Sequence, residues 1–331
     1  MSDPRAPQTK PTFSARRSSG KDRRQGAADD SGRRGLHWAC WHGDLARVAE
    51  LLDSGEEGDI EAASPGGRTP LHIAASCDYA RIVIELLHRG ADVESRDGSG
   101  LTPLAWAARH GSAGATRALL LDCRADVEAE DYFTGARPLY WACFCKGRYG
   151  AHAPGCSSHP EVAQLLADVG GADVNKPNCR TLDTPLMAAA SQGESNIVRL
   201  LLDRRADASL RNRLGSSALH WASRNGHGGA VRLLLRALGP AAAAEVDARN
   251  SDGDTPLHEA CRRGHRDTAS ALIKGGAHAS LRNRAGQSSL DLAHAWGASA
   301  LGRNQEGRNQ ATGLSALVAL LMEHEKGPKK E

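Results

Sequence analysis

The chain has 331 residues, 40% of them hydrophobic but only 4% aromatic, with a formal net charge of +3. No apolar run approaches the roughly 18 residues a membrane-crossing helix needs, and the N-terminus lacks the apolar stretch of a secretory signal. The sequence therefore reads as soluble and intracellular, cytoplasmic or nuclear, and the low aromatic content suits alanine- and leucine-rich helical units better than one large mixed core.

Residues 1–34 are rich in Arg, Ser, Gly, Lys, Pro and Asp and carry a net +5. Such a segment has little to bury and is expected to be a disordered basic tail. Within it, Arg16-Arg17-Ser18-Ser19 places two arginines before a serine, which makes Ser19 a candidate phosphosite. Its arginine pairs also suit nuclear import. The remaining charge is polarised: −7 over residues 35–180, +4 over 181–297 and +1 over 298–331.

From residue 35 a unit recurs. Thr-Pro-Leu-His or a worn copy of it comes back eight times, its leucine falling at Leu36, Leu71, Leu104, Leu139, Leu186, Leu219, Leu257 and Leu290. The spacing is 33 residues wherever nothing is inserted, a period that marks a stacked array. Units start near 35, 67, 100, 135, 181, 215, 253 and 286. At Thr69-Pro70, Thr102-Pro103, Thr184-Pro185 and Thr255-Pro256, Thr is read as the N-cap and Pro sits in the first helical turn, where its missing N–H is harmless. A short alanine-rich helix follows, as at Ala107-Ala108. After a break comes a second helix with aliphatic residues at helical spacing, such as Ile82, Val83, Leu86 and Leu87. It ends at Gly90-Ala91-Asp92-Val93, with glycine as the left-handed terminator. Arg124 and Arg205 replace that glycine, at a cost of about 1 kcal/mol each if the left-handed geometry is kept.

Gly67-Arg68-Thr69-Pro70-Leu71-His72-Ile73-Ala74-Ala75 and Asp254-Thr255-Pro256-Leu257-His258 carry a resemblance to the ankyrin repeat family. The resemblance covers residues 35–297 and implies an all-α solenoid of helix-turn-helix units joined by hairpin-like turns. An insertion spans about 146–158, and an alanine-rich extension runs from Gly239-Pro240 to Ala244. Residues 298–331 are read as a polar insertion, a capping helix and a basic tail.

His37, His72, His220 and His258 share one place in the unit, and the resemblance makes them ties between helix start and turn. Cys40, Cys143 and Cys261 share a position filled elsewhere by Ala or Ser, so they are read as small core residues. Cys145, His152, Cys156 and His159 offer mixed ligands for a tetrahedral zinc, although their spacing matches no standard zinc-finger spacing. No phosphate loop, His-Glu-x-x-His or Gly-x-Ser-x-Gly motif occurs; neither a cofactor nor an enzymatic role is expected.

Family members bind through the concave face of the first helices and the tips of the turns. The positions that correspond include Trp41-His42, Arg109-His110, Phe144-Cys145, Arg224-Asn225, Arg262-Arg263 and Ala295-Trp296. Trp41, His42, Arg109, Phe144, Arg224, Arg262 and Arg263 are therefore expected contacts, with Tyr132 and Phe133 at one tip and Arg213 and Arg284 at others. A second row, Trp38, Trp106, Trp141 and Trp221, is assigned chiefly to packing between repeats. The expected function is a non-enzymatic scaffold, working as a monomer, for a protein partner with an apolar segment and an acidic stretch, the latter meeting the arginines of repeats six to eight. The alternatives are nucleic-acid binding by that arginine strip, which the acidic first half opposes, and an adaptor that brings a substrate to an enzyme such as a ubiquitin ligase.

Overall fold

The computed structural model describes residues 35–54, 59–122, 124–144, 159–301, 317–322 and 324. Ser19, Cys145, His152 and Cys156 lie outside them. Helices follow in pairs: α1 (Leu36–His42) with α2 (Leu45–Ser54), α3 (Pro70–Ser76) with α4 (Ala80–His88), α5 (Pro103–His110) with α6 (Ala113–Leu121), and α7 (Pro138–Cys143) with α8 (His159–Asp168). Next come α9 (Pro185–Gln192) with α10 (Ser195–Asp203), and α11 (Ala218–Arg224) with α12 (Gly228–Leu238). A 3-10 turn at Gly239–Ala241 and a short α13 (Ala242–Glu245) extend the sixth pair; α14 (Pro256–Arg262), α15 (Arg266–Lys274) and α16 (Ser289–Leu301) follow. Residues 317–322 are also helical, and one isolated β-bridge, Arg282 to Ser288, is present.

The first helices α1, α3, α5, α7, α9, α11, α14 and α16 pack side by side as one layer. The second helices form another, so each repeat touches chiefly its neighbours. Between the layers lies one continuous core. The motif leucines from Leu71 to Leu257 are at most 2% exposed, as are Cys40, Cys143 and Cys261. Each buried leucine contributes about 1.5–3 kcal/mol. Burial pushes the thiols of Cys40 and Cys261 up to about 12, which suits packing and not thiol chemistry.

Apart from α1 and α7, which start at Gly35 and Arg137 without a side-chain cap, the first helices have starts set by local chemistry. Thr102 and Thr184 accept the backbone N–H three residues on, and proline occupies the next position. Where the motif has histidine, the ring bridges repeats. The Thr69 N–H and hydroxyl reach His72 Nδ1 (3.2 and 2.9 Å), leaving the proton on Nε2, which donates to the Leu101 carbonyl of the next repeat at 2.9 Å. His220 does the same between Ser217 and Asp254, and His258 between Thr255 and Gln287. His37 reaches the Arg68 carbonyl at 2.9 Å. The ties therefore extend beyond the helix start and across the repeat boundary.

Adjacent turn tips are joined by single backbone bonds, such as Tyr132 N–H to Ser99 O (3.0 Å) and Arg213 N–H to Thr181 O (2.9 Å). Asn212, Asn250 and Asn283 are buried, not solvated as their place in a tip suggests. Each side-chain oxygen accepts N–H groups from its own turn, at 2.9–3.0 Å, and so fixes the loop.

Candidate partner-binding face

The layer of first helices and the tips beside it present the large exposed side chains that the sequence pattern places there. Trp41 is 44% exposed, Phe144 40%, Tyr132 65% and Phe133 62%. Phe144 stacks on Tyr140 (centroids 5.8 Å apart) and meets Trp141 edge-on, so half of it rests on its own helix and half faces outward. Tyr132 lies under the Arg96 guanidinium at 5.6 Å. His42 stacks on Trp38 at 3.8 Å and its Nδ1 donates to the Trp38 carbonyl.

In repeats 2 to 4 the tryptophan row is interleaved with arginine. The Arg68 guanidinium carbon stands 5.1 Å from the Trp106 ring centre. Arg109 stands 5.8 Å from the same ring and 5.0 Å from Trp141 in the next repeat. His110 lies parallel to Trp106 at 5.1 Å. The Trp106 indole N–H donates to Asp97 Oδ2 at 2.9 Å, a carboxylate that also holds the turn. Trp141 and Trp221 find no such acceptor among the described residues. For Trp221 the reason is local: Asn212 stands where the third repeat has Asp97, and its only oxygen serves the turn. The tryptophans thus pack between repeats as expected, but as half-exposed members of a mixed layer.

The expected C-terminal arginine strip is partly neutralised. Arg262 pairs with Asp254, and Arg224 lies 4.0 Å from Glu259 while covering Trp221. Asp254 and Glu259 are themselves buried. Arg211 pairs with Glu245 of the alanine-rich extension and Arg282 with Asp291. Arg213 donates to the Cys179 carbonyl. Arg263 and Arg284 are exposed. Linear charge counting missed these pairs because the carboxylates sit eight or more residues from their arginines.

Two further expectations are corrected. Trp296 does not stand on the open face; its ring covers Gly264, where an added Cβ would come within 2.5 Å of it. His159 belongs to the same class. It sits over Gly111 and its Nε2 reaches the Arg109 carbonyl at 3.2 Å, as His227 reaches Ser191 and His265 reaches Arg224. This is a packing role repeated along the array, which removes His159 from a metal set; no cluster of three metal-binding side chains occurs among the described residues.

Arg68 was not anticipated. It fills the variable position of Gly-x-Thr-Pro, which is Asp183 in repeat 5 and Asp254 in repeat 7. A comparison of charge at that one position along the repeats would have found it.

Residues 18–97 and 151–243 match the family description "Ankyrin repeats (3 copies)", and residues 99–132 and 252–284 match "Ankyrin repeat". The chain is 34% identical over 186 residues to the B-cell lymphoma 3 protein homolog of Mus musculus, covering 55% of this chain and 38% of that protein. It is 31% identical over 198 residues to the E3 ubiquitin-protein ligase XBAT33 of Arabidopsis thaliana, covering 60% of this chain and 34% of that one. The chain therefore spans little more than a third of these curated relatives. The solved ankyrin repeat domain of Bcl-3, described as a member of the IkappaB protein family, superposes with a TM-score of 0.55 at 29% identity, over 73% of this chain and 99% of the domain. With the repeated helix pairs, the capped Thr-Pro starts and these matches together, the chain belongs to the ankyrin repeat family.

Proposed function

We propose that the array is a protein-binding module whose first-helix layer and turn tips hold a segment of a partner. The observation that carries this is the exposure of Trp41, Tyr132, Phe133 and Phe144 on the first-helix layer and its turn tips. Large aromatic groups at a surface favour contact with another protein. The neutralised arginines of repeats 6 and 7 favour this reading over a nucleic-acid strip. The described cysteines are all free thiols, which suits a cytoplasmic or nuclear setting.

The test compares proteins retained from native lysate by the full chain and by a variant carrying Trp41→Ala, Tyr132→Ala, Phe133→Ala and Phe144→Ala, after both show equal helicity. Loss of at least one partner from the variant alone is the expected result. Identical sets of retained proteins would remove this face from the proposal. A second reading, delivery of the bound protein to an enzyme, draws on the likeness to XBAT33, whose name describes a ubiquitin ligase. Ligase subunits retained by both proteins would support it, and their absence from both would end it.

A further inference from the structure

We infer that the layer of repeats 2 to 4 around Trp106 is the seat for an acidic segment of the partner, its carboxylates drawn by the guanidinium groups of Arg68 and Arg109. This rests on the protein-binding reading above and names the chemistry of what is bound. A guanidinium beside an indole ring is held there by cation–π attraction and keeps its full charge and its fork of N–H donors. Those donors match a carboxylate in a paired, planar geometry. The surroundings of the Trp106 ring are taken by the guanidinium groups of Arg68 and Arg109 and by the parallel ring of His110. A nucleic-acid base would have to displace one of them to find an aromatic face, whereas a carboxylate is attracted by their charge.

The charge balance at this place points the same way. Among the described residues no carboxylate pairs with Arg68, whereas Arg262 and Arg224 in the C-terminal half have Asp254 and Glu259. Acidic side chains of these repeats already hold turns and junctions. Asp97 is buried and accepts from Trp106 and its own turn. Glu61 and Glu94 accept backbone N–H groups of the following repeats at 2.8 and 2.7 Å. The His110 ring is pushed to a lower pKa chiefly by burial, with the hydrogen bond to the Trp106 carbonyl opposing the fall and the charges of Arg109, His159 and Arg68 adding to it. The overall −7 of residues 35–180 thus coexists with a basic patch on this face. Phe144 and Trp41, exposed on the same layer, offer apolar contact to groups flanking the acidic residues. The acidic stretch therefore falls on repeats 2 to 4 and not on repeats 6 to 8.

The experiment selects binders for the full chain from a displayed library of random 12-residue peptides, then measures a fluorescein-labelled winner by anisotropy. Arg68→Gln, Arg109→Gln and the double variant Arg262→Gln/Arg263→Gln are each first matched to the parent in helicity and thermal midpoint. Winners should carry two or more Asp or Glu beside an aromatic or aliphatic residue. Arg68→Gln or Arg109→Gln should weaken binding about tenfold, and Arg262→Gln/Arg263→Gln less than about twofold. Arg68→Lys keeps the charge but loses the planar fork, and should fall between parent and Arg68→Gln; it also serves if Arg68→Gln fails to fold. Winners without acidic residues, or acidic winners indifferent to Arg68 and Arg109, would overturn the inference while leaving a protein-binding module standing. Tighter binding of a 20-nucleotide single-stranded RNA, lost in Arg68→Gln, would assign the face to nucleic acid instead. Failure to select any peptide would overturn the protein-binding reading itself.

Discussion

His220 shows how one residue type serves both the fold and its dependence on pH. Its Nδ1 accepts from Ser217 and its Nε2 donates to the Asp254 carbonyl, an arrangement only the neutral ring can make. Burial pushes its pKa down from 6.5 to about 4, with Arg211 nearby adding to the fall and Asp254 opposing it. His72 and His258 are shifted the same way, again chiefly by burial. A ring that ionises at 6.5 when unfolded and near 4 when folded binds more protons in the unfolded chain between those values. Its contribution is therefore whole above pH 6.5 and is lost as pH falls through that window, by on the order of 3 kcal/mol for His220. Urea unfolding followed by circular dichroism should show the array much weaker at pH 5 than at pH 7. His220→Gln should lower stability at pH 7 by about 1–2 kcal/mol yet narrow the gap between the two pH values. An unchanged gap would mean that the acid sensitivity arises elsewhere.

At the scale of the helix pair, the ends are where this chain departs from the pattern it otherwise follows. Among the described residues, four non-glycine residues hold positive φ: Asp78 (61°), Arg124 (52°), Leu182 (59°) and Arg205 (61°). Leu182 stands where Gly67, Gly100 and Gly253 stand in other repeats, and Asp78 where Gly111 and Gly193 stand. The two arginines were legible from the sequence because they interrupt a Gly-Ala-Asp phrase. The other two were equally visible in principle, since only the alignment of repeats reveals them. A left-handed residue with a Cβ costs about 1–2 kcal/mol, part of which glycine gives back as chain entropy. Arg205→Gly should therefore raise the thermal midpoint, with a gain of about 0.5–1 kcal/mol. A lower midpoint would show that the Arg205 side chain holds a contact worth more than the strain. The caps were the best-read elements, because Thr followed by Pro specifies a helix start by local chemistry alone. The open face was the worst read. Its residues do not recur, and the partners that decide their charge, such as Asp254 for Arg262, arrive by turn geometry that no periodicity encodes.

The whole molecule is a chain of junctions, and acidic residues supply many of them. Glu61 accepts the Asp92 N–H, Glu94 the Asp126 N–H, Glu128 the Asp173 N–H and Asn175 the Asp207 N–H, at 2.7–2.9 Å. Where Arg249 occupies this position and can accept nothing, Asp247 receives the His278 N–H instead at 3.0 Å. This explains why acidic residues crowd the first half without making its binding face acidic: several of their carboxylates join one repeat to the next. Asn175 further shows that an amide oxygen does the same work as a carboxylate. In a quasi-linear stack, stability is a sum of repeat and neighbour terms, so weakening one junction should loosen the shorter side first. Glu94→Ala removes the acceptor between repeats 2 and 3 and should cost about 0.5–1.5 kcal/mol, the net worth of one hydrogen bond at an exposed junction. Glu94→Gln should keep most of that stability. Amide hydrogen exchange should then show faster exchange for residues 35–97 in Glu94→Ala, with protection near the parent level from residue 185 onward. An equal loss of protection throughout would mean that the array opens as one cooperative unit and that no single junction can part its ends.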